Sequence, residues 1–212
     1  MSEYDYEYEW DSKYCYPNSF VLINSLNIQD ADDLKVAERE ITSVRIAGIM
    51  DKPIRGEFDF THLKDIHHAI FKDIYDWAGV PRVVDISKGN QFCLSRQIEN
   101  YAKDIFNKLK TESFLSVTSA SDVPARLCYY LSEINALHPF REGNGRAQRV
   151  FIDYLSQYAG YEVDFSKVSE KEMIEVSALS FAKEYGAMEA MFNRILFPTT
   201  PQEVRVFRSK VR

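Results

Sequence analysis

Positive charge is in short supply in this sequence. Lys and Arg number 26 against 32 Asp and Glu, for a net charge of −6. Phosphate neutralisation by basic side chains supplies most nucleic-acid affinity, so direct nucleic-acid binding is excluded as the main activity. A local basic site for a nucleotide is not. Cysteine is equally scarce: Cys15, Cys93 and Cys128 are far apart, odd in number and match no zinc spacing. They are expected to be reduced thiols of a cytoplasmic protein. No apolar run approaches the ~18 residues that span a bilayer, so no membrane partner is expected. Residues 1–11 are acidic and aromatic, with no basic n-region and no apolar h-region, and do not read as a signal peptide. The pattern Gly-x-x-x-x-Gly-Lys-Ser/Thr does not occur, which excludes a P-loop as a nucleotide site. Internal repeats and low-complexity segments are absent too.

What the 212 residues do contain is a large apolar and aromatic fraction, 45% apolar with 13 Tyr and 14 Phe, enough for a packed core. Length alone indicates one domain, or one domain with an appendage. Most of the chain has helical period. Leu34, Ala37, Ile41 and Val44 follow the capping candidates Asp30 and Asp32. Leu63, Ile66, Ile70, Phe71 and Ile74 follow Asp59 or Thr61. Ile98, Tyr101, Ala102, Ile105, Phe106 and Leu109 form a third set. Val123, Leu127, Tyr130, Leu131 and Ile134 form a fourth, with Asp122 as cap and Pro124 in the first turn. Ala147, Val150, Phe151, Tyr154, Leu155 and Tyr158 form a fifth, closed by Gly160. Shorter helices are predicted over 170–179 and 184–196, the latter stopping before Pro198. One stretch differs. Residues 82–87 alternate and are β-branched, residues 88–90 (Lys-Gly-Asn) are a turn signal, and residues 91–94 return. The predicted class is all-α with a small β-hairpin. Residues 199–212 carry Arg205, Arg208, Lys210 and Arg212 against Glu203 alone, and read as a solvated end or a linker.

Between the fourth and fifth helices lies His-Pro-Phe-Arg-Glu-Gly-Asn-Gly-Arg, residues 138–146. Pro139 ends the preceding helix at His138, so the imidazole sits at a terminus. Gly143 and Gly145 permit backbone angles closed to other residues and lead directly into a helix. Such a loop aims successive N–H groups at one point, where the helix dipole adds partial positive charge. Arg146 and Arg149, three apart, project from one side of the first turn. Two guanidiniums beside an anion cradle indicate phosphate, and more than one. Glu142 would be repelled there unless a cation such as Mg²⁺ lay between it and the phosphates. His138, with an unperturbed pKa near ~6.5, suits a general base. Together these groups point to nucleotidyl or phosphoryl transfer. His62, His67 and His68 share no helix face that would make a metal site, and are expected in the core or on the surface.

The stretch resembles the signature of the Fic family, His-x-Phe-x-(Asp/Glu)-Gly-Asn-Gly-Arg-x-x-Arg, at all eight specified positions: His138, Phe140, Glu142, Gly143, Asn144, Gly145, Arg146 and Arg149. The resemblance implies a Fic-type helical core with a hairpin flap that docks the target protein, and divides the chain into an N-terminal extension (1–58), a Fic domain (59–197) and a basic tail (198–212). It implies transfer of AMP from Mg-ATP to a Tyr, Thr or Ser hydroxyl. In that reading His138 deprotonates the hydroxyl and Glu142 holds Mg²⁺. Gly143, Asn144 and Gly145 cradle the α- and β-phosphates, with Asn144 orienting the α-phosphate. Arg146 takes the β-phosphate and Arg149 the γ-phosphate. Phe140 packs beneath the loop. Lys88 and Gly89 in the flap touch the nucleotide or the target backbone, and residues 173–177 fall in the region of the adenine pocket. Many relatives block the γ-phosphate site with a helix bearing Ser/Thr-x-x-x-Glu-Gly/Asn. The single match, residues 95–100, lies just after the flap, and Glu99 is expected on a solvated face. The resemblance then implies a short toxin-type enzyme whose inhibitory glutamate comes from a separate small antitoxin. Its place of action would be the cytoplasm of its own cell or of a host cell.

Overall fold

A computed structural model describes residues 13–88 and 90–212; residues 1–12 and Gly89 lie outside the described residues. The described chain is all-α with two small two-stranded antiparallel sheets. Its helices are α1 (Ala31–Asp51), α2 (Phe60–Phe71), α3 (Ile98–Thr111), α4 (Val123–Leu137), α5 (Asn144–Ala159), α6 (Glu170–Phe181), α7 (Gly186–Ile195) and α8 (Pro201–Val211). Strands β1 (Ser87–Lys88) and β2 (Asn90–Gln91) make the hairpin, with Ser87 opposite Gln91. Strands β3 (Tyr161–Val163) and β4 (Leu196–Pro198) pair with Tyr161 opposite Pro198.

Helix α5 is the axis. The predicted face Ala147, Val150, Phe151, Tyr154, Leu155 and Tyr158 is buried throughout, as is the α4 set Val123, Leu127, Tyr130, Leu131 and Ile134. Each such side chain contributes about 1.5–3 kcal/mol on burial. Helix α2 packs across α5 and buries Leu63, Ile66, Ile70 and Phe71. Phe58, His62, Phe151 and Tyr158 meet there in edge-on aromatic contacts. Asp30 and Asp59 cap α1 and α2, Ser169 caps α6, and Gly160 closes α5 in a left-handed conformation.

Five expectations change. Asp122 precedes α4, but its carboxylate accepts from Ser119 and Ser121 rather than capping the helix. The second helix ends at Phe71, and the last predicted helix gives way at Leu196 to β4, which pairs with β3. The tail is neither frayed nor a linker. Thr200 and Glu203 form a capping box, and Phe207 and Val211 are buried. Arg208 donates twice to the Tyr158 carbonyl, at 3.0 and 2.7 Å, and Val211 O accepts from Gly56 N–H at 2.8 Å. Basic composition hid an apolar pair four residues apart. In α1, Leu34 is buried and Ile41 packs against the core as expected, but Val44 is 74% exposed, and the inward side also carries Glu38, Thr42, Arg45 and Ile49. The polar groups there meet charged partners, so apolar period alone misses part of the face.

Candidate active site

The loop 138–146 joins the end of α4 to the start of α5. His138 is the α4 C-cap and adopts a left-handed conformation (φ 43°, ψ 61°). This turn swings its ring out of the helix. Nδ1 donates to the Asn135 carbonyl at 3.2 Å, which puts the basic lone pair on Nε2. The ring stacks on Phe92 just beyond β2, centroids 3.8 Å apart.

Gly143 precedes α5 with φ 79°, and a Cβ there would lie 2.2 Å from the Phe71 ring. Only glycine fits both restrictions. Among the described residues no side chain caps α5, so the first N–H groups of a 16-residue helix are open at Gly145, which borders a cavity of about 590 Å³. The lining of that cavity includes the polar groups of Asn135, His138, Gln148, Arg149 and Glu170 and the apolar side chains of Phe92, Phe165, Val168, Met173, Ile174 and Phe181. The size and the mixed lining suit a nucleotide.

The two arginines differ. Arg149 makes no hydrogen bond and no ion pair with any described residue, and burial and the neighbouring Arg146 hold its pKa below the ordinary value. Arg146 is engaged. Nη2 pairs with Glu38 of α1, Nη1 donates to Thr42 Oγ1 at 3.2 Å, and the guanidinium lies 4.7 Å over the Phe71 ring. Glu142 is half-buried. Its Oε1 accepts from Gly143 N–H at 2.8 Å and lies 3.6 Å from Arg146 Nη2. Burial raises its pKa and Glu38 raises it further, against the pull of Arg146.

The Asn144 side chain braces the loop: its Oδ1 accepts from Phe140 N–H at 2.9 Å and its Nδ2 donates to Phe140 O at 2.8 Å, with the residue buried. These bonds close the loop on itself and use one of the two Nδ2 donors. Phe140 packs beneath the loop, as expected, against His67 with centroids 3.8 Å apart. Lys88 lies in β1, and the Gly89 expectation falls outside the described residues. Residues 95–100 follow the flap and enter α3, and Glu99 is exposed.

Three further residues build the site. His67 is a core histidine with its Nδ1 accepting from Gly79 N–H at 2.9 Å and its Nε2 bonded to Glu142 O at 2.9 Å. Burial lowers its pKa to about 3, so it is a neutral pillar under the Glu142 backbone. Arg82, buried at the flap base, donates from Nε to His138 O at 2.9 Å, from Nη1 to Val84 O at 2.6 Å and from Nη2 to Cys93 O. The predicted strand over 82–87 therefore shortens to Ser87, because Arg82 draws this backbone onto the catalytic loop. Glu38 is the third. Its helix lies over 100 residues away in sequence, and no local pattern signals the contact.

Comparison with known proteins agrees with this geometry. The family model described as Fic/DOC family matches residues 57–156, which contain the loop, the flap and both arginines. Protein adenylyltransferase VbhT of Bartonella schoenbuchensis is 40% identical over 184 residues, 86% of this chain; the chain spans 38% of that protein's length. The probable protein adenylyltransferase y4lH of Sinorhizobium fredii is 37% identical over 86% of this chain and 94% of its own. Among solved structures, the N-terminal Fic domain of a VirB-translocated Bep effector protein from Bartonella quintana superposes with a TM-score of 0.83 at 27% identity, covering 94% of this chain and 98% of that one. The same domain with bound ADP gives 0.83 over 91% and 98%. Among the described residues no helix is long and apolar enough to cross a membrane.

Proposed function

The chain belongs to the Fic/DOC family, and from that premise we propose that it is a protein adenylyltransferase, moving AMP from ATP to a Tyr, Thr or Ser hydroxyl of a target protein. The observation that carries this reading is the open N-terminus of α5 at a cavity that both the His138 imidazole and Arg149 line. The base lies near Met173 and Ile174 in the apolar part of that lining. The triphosphate lies along the first turn of α5, against the N–H groups of Asn144 and Gly145. Arg146 and Arg149 meet the β- and γ-phosphates.

His138 Nε2 takes the hydroxyl proton. The oxygen attacks the α-phosphorus, the bond to the β-phosphate breaks in line, and pyrophosphate leaves. The catalysis comes from positioning and from charge stabilisation by the loop N–H groups and arginines. Glu142 fits Mg²⁺: it is a single carboxylate whose burial and neighbour Glu38 disfavour its charge, a cost that a cation relieves. Among the described residues no group of three or more His, Cys, Asp or Glu could hold a metal by itself. That suits an ion that takes most of its shell from phosphate and water. When bound, the ion offsets charge on the α- and β-phosphates.

The flap docks the target by strand addition at β1 and β2, with Lys88 and Gly89 proposed to touch the nucleotide or the target backbone. The carboxylate that would block the γ-phosphate site comes from a separate small antitoxin, a reading that rests on the family resemblance, with Glu99 of the one matching stretch exposed after the flap. The enzyme acts in the cytoplasm, of its own cell or of a cell that receives it.

The test is a transfer assay on a bacterial lysate with ATP labelled on the α-phosphate, beside γ-labelled ATP and His138→Ala. Label entering a protein band only from the α-position, and lost in His138→Ala, is the expected result. Label only from the γ-position would overturn the reading in favour of a kinase.

A further inference from the structure

Helix α1 belongs to the N-terminal extension, yet it reaches the reaction centre. Glu38 is held at both oxygens: Oε1 takes Arg146 Nη2, and Oε2 takes the hydroxyl of the buried Tyr75 at 2.5 Å. Thr42, one turn on, is buried, donates to Glu38 O at 2.7 Å and accepts from Arg146 Nη1. Phe71 floors the guanidinium. Arg146 is thus fixed on three sides by groups outside the signature loop. Those bonds use two of its five N–H donors and leave three uncommitted. A carboxylate beside phosphates weakens their binding, since like charges repel in a half-buried site. Such a group persists there to a purpose if it acts on the arginine. Arg149, three residues on, has no comparable anchor.

We propose that Glu38 is a positioning residue of the transfer reaction: it aims Arg146 at the departing phosphates and offsets its charge, so that Arg146 stabilises the transition state more than it binds ATP. The inference rests on the adenylyltransferase reading for its chemistry, and on the Tyr75–Glu38–Arg146 chain for its geometry. Interactions stronger in the transition state than in the ground state raise kcat without tightening substrate binding. An arginine released from its anchor follows the ground-state phosphates instead. Removal of Glu38 therefore loses rate and gains affinity.

The experiment compares the full chain with Glu38→Ala, Glu38→Gln, Arg146→Ala and the Glu38→Ala/Arg146→Ala pair. Mg-ATP binding is measured by titration calorimetry, which needs no target protein. AMP transfer is measured with α-labelled ATP, and thermal melts report folding. The expected result for Glu38→Ala is a kcat lower by about tenfold or more with ATP bound about threefold tighter. Both effects vanish when Arg146 is already Ala, the signature of action through that residue. Glu38→Gln keeps an acceptor without the charge, so it recovers most of kcat and retains the tighter binding. Unchanged kcat and affinity with a lowered Tm would overturn the proposal and leave Glu38 as an anchor for α1. A raised kcat would overturn it in the other direction, making Glu38 a competitor of ATP. If the wild type transfers no AMP but the calorimetric effect still depends on Arg146, the coupling stands and the reaction assignment alone fails.

Discussion

The loop at 138–146 and the flap at 82–94 border the same cavity, through His138 and Gly145 in the loop and Phe92 in the flap, and they are built in opposite ways. The loop is over-determined. His67, Phe71, Phe140 and Asn144 pack or bond beneath it, and every one is buried. The flap is anchored at its base by Arg82 and by Asp85, which accepts from Ser95 N–H, while its strands are two residues each. A rigid wall suits a nucleotide, whose α-phosphorus must be held in line and about 3–3.5 Å from the attacking oxygen. A sparsely paired wall suits an incoming strand, whose backbone supplies the missing bonds. Substitutions in the loop should therefore change turnover or stability. Substitutions at the flap tip should change only the apparent affinity for the target.

The largest separation should come from His138→Ala. Loss of a general base costs roughly 10²–10⁴-fold in rate, while ATP still meets the α5 N-terminus and Arg149. Initial rates with α-labelled ATP beside calorimetric binding would give a fall in kcat with affinity retained. Equal loss of both would mean that His138 holds the nucleotide rather than the proton.

Next in size is Gly143→Ala. The new Cβ meets the Phe71 ring at 2.2 Å, and φ is 79°. Overpacking and a left-handed backbone together cost about 3 kcal/mol, which lowers Tm by roughly 6–12 °C in a domain of this size. Gly186→Ala at the start of α7 is the control, since nothing lies within 4 Å of its Cβ. It should leave Tm level or slightly raised. If the two variants melt alike, the loop is less constrained than its packing implies.

The pillar beneath the loop makes a pH prediction. His67 titrates at about 3 in the fold against 6.5 for an ordinary histidine, because burial disfavours its charge. Between those values the unfolded chain binds a proton that the folded chain refuses. Stability from this group is therefore full above 6.5 and is lost as pH falls toward 3. The slope approaches about 1.4 kcal/mol per pH unit for one proton. His67→Phe keeps the stacking on Phe71 and Phe140 but removes the proton site. Its melting temperature should be lower at pH 7 through the lost bonds to Gly79 and Glu142. It should also fall less steeply than the wild type between pH 6 and pH 4. Parallel curves would mean that His67 titrates normally in the fold.

The same contrast explains which parts of the molecule were legible in the sequence. The loop was, because its chemistry is local: Pro139 stops a helix, Gly143 and Gly145 permit the turn, and the stretch from His138 to Arg149 is only twelve residues of chain. The α4 and α5 faces were legible for the same reason, since period alone marks them. Glu38, His67 and Arg82 were not. Each acts on the loop across 56 to 108 residues of chain, and each presents a polar side chain inward, where apolar periodicity carries no signal. Helix α1 is the clearest case. Its inward side also carries Glu38, Thr42 and Arg45, so counting apolar residues turned Val44 toward a core that it does not meet. In α8 the same counting failed differently: four basic residues concealed Phe207 and Val211, which a helix places on one buried face.

The smallest effect should come from the flap tip, and it decides whether the two walls really divide the work. Lys88 sits in β1, next to the turn. The hairpin strands are two residues each, so, if the flap serves the target and not the fold, Lys88→Ala should melt with the wild type. Calorimetric ATP affinity should also be unchanged, because in the division argued above the tip serves the target and the loop serves the nucleotide. What should move is the KM for the protein target, by about two- to fivefold at the few-tenths to one kcal/mol of an exposed contact. A shift in ATP affinity instead would put Lys88 on the nucleotide, and the flap would then close over ATP before it ever meets a strand. That outcome would change the order of binding, with ATP first and target second enforced by the flap itself, and would move Lys88 from the docking wall to the catalytic one.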